Sequence, residues 1–186
     1  YVVSTPIGNL KDITLRALDV LKKSDIILCE DTRVSRKLLS HYKINNKIIS
    51  YHKFNEKKKL DNILELLKEG NSMSLVSDAG TPAISDPGKF LIKRCIEENI
   101  RIIPIPGASA VTTSLSISGF SDQFYFHGFL SDTDNSIKKD FENFKKNNCT
   151  SIFFISAQKL KKKLKLLKDY FPDQEILICR ELTKIH

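Results

Sequence analysis

The chain reads as an α/β protein with a parallel sheet covered by helices on both faces. Three observations predict it. Short apolar runs alternate with stretches of helical periodicity from the first residue to about residue 105. Four of the seven glycines and five of the six prolines lie before residue 107, nearly all where an apolar run ends, so residues of special geometry collect along one rim. Five such β-α units in about 105 residues call for crossover connections, and crossovers place helices on both faces of a parallel sheet.

In order, YVVST is the first strand and Pro6, Gly8 and Asn9 its loop. A helix over about 12–23 carries Leu15, Leu18 and Leu21 on one face. DIILC is the second strand, with Glu30 and Asp31 at its carboxyl end, and Asp31 or Thr32 caps a helix running to about His41. KIISY is the third strand; His52, Asn55 and Glu56 follow it, then a helix through Leu60, Ile63, Leu64 and Leu67 that stops at Gly70. The fourth strand spans about Met73 to Ser77, and RIIPI is the fifth.

Between the fourth and fifth strands lies LVSDAGTPAISDPG, residues 75–88, the stretch around which the chain is organised. Asp78, Gly80, Thr81 and Pro82 end the strand, and Asp86 before Pro87 predicts an N-cap and first helical position. A strand, rigid loop and helix in an open α/β sheet form a ligand position, outside the strand's carboxyl end and close to backbone N–H groups. The loop lacks the lysine of a P-loop, and no GxGxxG follows any strand. Asp78 and the backbone near Gly80 suit a ligand with ribose hydroxyls and a cationic centre.

Pro104, Pro106 and Gly107 break the alternation, which places a domain junction there: an N-terminal α/β domain over 1–106 and a smaller domain with a mixed sheet over 107–186. The second contains a small-residue helix in ASAVTTSLSISG, strands in FYFHGF and TSIFFI, a helix over about 136–147, a lysine-rich helix and a last strand in EILICREL. That strand has no visible partner or cover in the sequence, so a piece of a longer chain is expected.

Charge and cysteine usage narrow the function classes. The net charge of +8 and pI near 9.3 suit a polyanionic partner. The densest cluster, Lys159, Lys161, Lys162, Lys163, Lys165 and Lys168 with Leu160, Leu164 and Leu167 between, reads as a solvated helix face, direct nucleic-acid contact being the alternative. Cys29, Cys95, Cys149 and Cys179 have no CxxC or metal-ligand spacing; buried thiols are expected, with no metal site. No run of about 18 apolar residues and no secretory signal pattern occurs, so a cytoplasmic, membrane-free protein is expected.

Three further polar clusters share the rim with Asp78: STPIGN, EDTR with Glu30, Asp31 and Arg33, and YHKFNE with His52 and Glu56. Carboxylates and an imidazole converging at one edge are candidates for acid or base work. Asp31 with Arg33 also forms an ordinary local ion pair.

STPIGNLKDITLRALDVL, CEDTR followed by KLLSHY, SYHKFNE, VSDAGTPAISDPG, PIPGASA, GF at 119 and 128, and RELTK resemble, in order, the bacterial family of ribosomal RNA small subunit methyltransferases I within the tetrapyrrole methylase superfamily. The resemblance spans almost the whole chain. It implies a tetrapyrrole-methylase-like fold of two α/β domains, S-adenosylmethionine in the cleft between them, a homodimer, and 2′-O-methylation of a cytidine ribose of 16S rRNA in the decoding region of the small ribosomal subunit. By motif it implies cofactor contacts from Pro6, Asp78, Ala79, Gly80, Ala83, Ser109 and Ala110, with Ile155 and Leu182 on second-domain strands. Asp31 or Glu56 is expected to take or orient the hydroxyl proton, and Arg33 and His52 to hold a phosphate or base. The chain departs from the family in reading SDTDNS after GFL, and FISAQK where the family tends to have YESPHR. A tetrapyrrole methyltransferase and a non-catalytic RNA- or cofactor-binding module are the competing readings.

Overall fold

The second strand shows how the first sheet is built. Strand β1 is Val2–Val3, β2 Ile26–Cys29, β3 Lys47–Ser50, β4 Met73–Val76 and β5 Pro104–Ile105. The helices between them are α1 (Leu15–Lys23), α2 (Thr32–His41), α3 (Glu56–Lys68) and α4 (Lys89–Glu97). Successive strand side chains point to opposite faces. Ile27 and Cys29 therefore join Val3, Val76 and Ile105 under Ala17, Leu21 and Leu39 of α1 and α2. Ile26 and Leu28 join Met73 and Leu75 under Ile63, Leu64, Leu91 and Cys95 of α3 and α4. Both faces of β2 are buried, which is why it reads as a continuous apolar run, and each such side chain contributes about 1.5–3 kcal/mol of burial.

All five strands pair in parallel, in the order β3-β2-β4-β1-β5. The chain leaves β2 toward β3 but leaves β4 toward β5, so the connections diverge between these neighbours and open a crevice at their carboxyl ends.

The computed structural model of the chain describes residues 1–184; Ile185 and His186, the end of the expected 107–186 domain, lie outside the described residues. The described residues form two compact units, Tyr1–Ala110 with 181–184, and Val111–Arg180. The tail joins the first unit through Thr183, whose hydroxyl accepts from Asn9 N at 3.1 Å. A side chain at Gly8 would meet that hydroxyl at 2.8 Å, so glycine permits the approach.

The second unit holds α5 (Ala110–Ser116), whose first residue belongs to the first unit, then β6 (Phe124–Phe129), α6 (Asp134–Lys146), β7 (Thr150–Phe154) and α7 (Leu160–Tyr170). β6 and β7 pair in parallel, with a register shift between Phe126 and Gly128. Ile137, Phe141 and Phe144 of α6 and Leu167 of α7 pack with Leu130 into its core, and Phe144 stacks on Phe153 at 5.3 Å.

Two expectations for this region change. EILICREL forms no strand among the described residues, so the second sheet is a parallel pair: an apolar run becomes a strand only where a neighbour completes its ladder, and Ile176, Leu177 and Ile178 are exposed. The lysine-rich helix is partly neutralised. Lys163 is 3% exposed and donates to Leu130 O at 2.8 Å, Lys159 pairs with Asp132 at 2.7 Å, and Lys162 with Asp134 at 2.7 Å. These aspartates lie in SDTDNS, where the loop after β6 enters α6, so this stretch supplies counter-charge to the lysine-rich segment.

Among the described residues no helix is long and apolar enough to cross a membrane, and no cluster of histidine, cysteine or acidic side chains could hold a metal ion.

Candidate functional site

The site is built where β1, β2, β3 and β4 end. Thr5 and Gly80 form an isolated antiparallel bridge: Thr5 N donates to Gly80 O at 2.9 Å and Gly80 N to Thr5 O at 3.1 Å. Gly80 has φ +82°, and a Cβ there would lie 3.3 Å from Ile7 and 3.7 Å from Ala108 O, so the bridge requires glycine. The hydroxyls of Thr5 and Ser77 donate to the turning backbone, Thr5 to Ser77 O at 3.1 Å and Ser77 to Gly80 O at 3.2 Å. Ser4 and Thr81 share a hydrogen bond of 3.1 Å, and Thr81 donates to Ala108 O at 3.4 Å. The three segments that carry the residues expected at the cofactor are thus tied through neighbours of Pro6 and Ser109: Thr5 bridges to Gly80, and the Thr81 hydroxyl reaches Ala108 O.

Asp86 departs from expectation. Helix α4 begins at Lys89 with Gly88 as its cap, so Asp86 is not an N-cap. The reason lies in the loop: Ala83 and Ser85 both have φ above +60°, which delays the helix and leaves Asp86 beside Ser77 and Asp78. Non-glycine residues in this region are strained, and such strain concentrates at functional sites.

Burial, then the negative charges of Asp86 and Asp78, push the Glu30 carboxyl up from its ordinary range, while His52 opposes the shift. Burial and the charge of Asp78 push Asp86 up in the same way. No ion pair reaches Glu30, Asp78 or Asp86 among the described residues. Asp31 behaves oppositely. Arg33 binds it through Nε at 3.0 Å and Nη2 at 2.6 Å, and Arg33 N donates to it at 2.8 Å, which holds its carboxyl down at about 2. It also caps α2, as expected, and its backbone N donates to Asp78 Oδ1 at 3.0 Å, tying the β2 and β4 loops together across the crevice.

After β3, Asn55 fixes the turn: its side chain accepts from His52 N at 2.9 Å and donates to Ser50 Oγ at 3.1 Å. Glu56 is the first residue of α3 and is buried beside Tyr51, whose hydroxyl is shifted upward chiefly by burial and secondarily by the Glu56 charge. Glu56 therefore stands deeper than a surface base, whereas His52 is half-exposed and within electrostatic reach of Glu30.

The remaining expected residues are spread more widely. Ala79 is exposed, Ala83 buried and Ala110 half-buried at the start of α5. Ile155 packs half-buried against the second unit's core. Leu182 is not on a strand; it precedes Thr183, which places it beside the Gly8–Asn9 loop of the first unit. Glu30 was placed on the rim with EDTR but given no role of its own, and Asp86 was read as a cap; the structure brings both beside Asp78.

A family model of the tetrapyrrole (corrin/porphyrin) methylases matches residues 1–186. The chain belongs to this family. Curated relatives named ribosomal RNA small subunit methyltransferase I agree along its whole length. The Mesomycoplasma conjunctivae protein is 50% identical over 100% of this chain and 78% of its own, and the Leptospira biflexa protein 44% identical over 99% and 77%. Among solved structures, a cobalt precorrin-4 methyltransferase of cobalamin biosynthesis superposes with a TM-score of 0.64 at 18% identity, covering 91% of this chain and 74% of that one. This likeness shows the fold, and the tetrapyrrole methylase family has methyl transfer as its chemistry.

Proposed function

We propose that the chain transfers a methyl group from S-adenosylmethionine to the ribose 2′-hydroxyl of a cytidine in 16S rRNA, within the decoding region of the small ribosomal subunit, and that it does so as a cytoplasmic homodimer. The observation that carries this reading is the joining of the EDTR and SDAG loops by the Asp31–Asp78 hydrogen bond. It sets a carboxylate group suited to a cation beside an arginine suited to phosphate, in a chain whose relatives are named for ribosomal RNA.

The residues fit S-adenosylmethionine. Its sulfonium and ammonium are cationic, and Glu30, Asp78 and Asp86 form a negative group with no internal counter-ion among the described residues. The cofactor's adenosine is served by backbone near Gly80, Pro6, Ala83, Ser109 and Ala110 on the first unit, with Leu182 of the same unit as an apolar contact. When bound, the cofactor supplies an electrophilic methyl group.

The chain's own work is alignment and proton handling. Arg33 is 87% exposed at its side chain and keeps donors free for a phosphate, while Asp31 fixes its direction. His52, on a turn locked by Asn55, holds the nucleotide near Glu30. Glu30 accepts the hydroxyl proton, because its raised carboxyl is a stronger base than an ordinary glutamate. Asp31, held down at about 2, orients the group instead, and Glu56 supports the turn from beneath.

Radiolabelled S-adenosylmethionine tests the reading when offered with undermethylated small subunits or with a uroporphyrinogen-like acceptor. Label in the RNA alone is expected. Label in the tetrapyrrole alone would overturn the reading, and cofactor binding without transfer to either would favour a binding module.

A further inference from the structure

Phe54 is a large apolar side chain left in water, with 94% of its surface exposed. The turn that carries it is closed by Asn55 N and Glu56 N, both donating to His52 O at 2.9 Å, and by the Asn55 side chain. Lys59 ties the turn back to the sheet by donating to Ser50 O at 2.8 Å. Its one aromatic contact among the described residues is with the edge of His52, at 6.1 Å between centroids. These hydrogen bonds hold the backbone of the turn out at the sheet edge, and the Phe54 ring it carries is left exposed at a hydrophobic cost.

Its surroundings are basic. Lys53, Lys57 and Lys58 are exposed and pair with no carboxylate among the described residues. Lys57 instead lies over the half-exposed Phe90 ring at 5.5 Å. Aromatic faces interleaved with unpaired lysines match a single-stranded nucleic acid, whose bases stack on rings while its phosphates meet cations. A protein partner's apolar pocket would not call for the lysines.

We infer that Phe54 is a stacking platform for an unpaired RNA base next to the methylated nucleotide, with Lys53, Lys57 and Lys58 holding the flanking phosphates. The inference rests on the RNA-methylation reading, and it places substrate discrimination at the β3 end of the rim, away from the cofactor loop. A base seated on Phe54 fixes the strand's register relative to His52, two residues away, and so selects which ribose reaches Glu30.

The chain contains no tryptophan, so Phe54→Trp gives a single indole reporter. Titration with small ribosomal subunits is expected to quench its emission, as a stacked base does. A blue shift with brighter emission would mean an apolar protein contact and would overturn the inference, as would an unchanged spectrum at saturation. In steady-state transfer, Phe54→Ala is expected to raise KM for small subunits about tenfold, the scale of one lost base stack, with kcat and cofactor affinity unchanged. Phe54→Tyr restores KM and Phe54→Leu does not; equal rescue by leucine would overturn the stacking role. Failure of the wild-type protein to label RNA would count against the methylation reading, whereas the indole spectrum reads Phe54 independently of turnover.

Discussion

The lysines of α7 and the lysines around Phe54 look alike in sequence and differ in what meets them. Lys159, just before α7, and Lys162 and Lys163 on it are met by Asp132, Asp134 and the Leu130 carbonyl. At the start of α3, Lys53, Lys57 and Lys58 meet no carboxylate among the described residues. The carboxylates divide the same way: Asp31 is matched by Arg33, while Glu30, Asp78 and Asp86 crowd together without a cation. Matched charge holds the fold; unmatched charge marks where a ligand is expected to supply the missing sign. Net charge alone conceals the distinction.

The sharpest way to break this contrast is to remove each lysine group in turn. Changing Lys53, Lys57 and Lys58 together to alanine is expected to weaken binding to small subunits about tenfold or more and to lower the slope of log affinity against log salt by roughly 2, at about 0.7 per single-strand phosphate contact. Lys159→Ala with Lys162→Ala, which removes the two lysines matched by Asp132 and Asp134, should change both by little. Equal losses from the two groups, measured by filter binding across a salt series, would erase the contrast.

Lys163 probes the matched side. Its ammonium is buried, and Lys163→Ala strands the Leu130 carbonyl, so a loss of about 1–3 kcal/mol is expected in urea unfolding. Lys161→Ala on the same helix should stay within about 0.5 kcal/mol.

The unmatched carboxylates predict opposite signs for stability and binding. Because the folded state raises the Glu30 and Asp86 carboxyls, their favourable contribution is complete only below the unfolded value and is lost as pH rises through the folded one. At pH 7 both are penalised, so Asp86→Asn should raise the melting temperature modestly while weakening S-adenosylmethionine binding in calorimetry. A variant less stable at pH 7 with cofactor affinity intact would return Asp86 to a structural role.

Asp31 gives the smallest effect and the reverse pH sense. Its lowered carboxyl contributes stability above the unfolded value, near 4, that disappears as pH falls through about 2. Asp31→Asn should flatten the acid limb of the stability curve below pH 4 and loosen Arg33, seen as a raised KM for small subunits.

Much of the fold was legible because strands and helices of the first unit are dictated by local pattern: IILC is apolar on both sides of the pleat, and Asp31 caps α2 where a short acidic side chain follows a strand. What was hidden depends on partners distant in sequence. EILICREL has strand propensity without a ladder neighbour among the described residues. The pairing of Lys162 with Asp134 spans two elements, so α7 read as a plain solvated face. Asp-Pro read as a cap at Asp86 because nothing in the letters shows that Ala83 and Ser85 turn left-handed first. Glu30 was visible in EDTR, but its raised carboxyl follows from burial and from charges tens of residues away.

The measurement that bears most directly on the account is mapping of the modified residue after the wild-type protein has acted on undermethylated small subunits with labelled S-adenosylmethionine. Nuclease digestion and mass spectrometry are expected to find a single 2′-O-methylcytidine in the decoding region of 16S rRNA, lost in Glu30→Gln even at saturating cofactor. Label on a base, on another ribose, or absent from RNA in a preparation that binds the cofactor would contradict it.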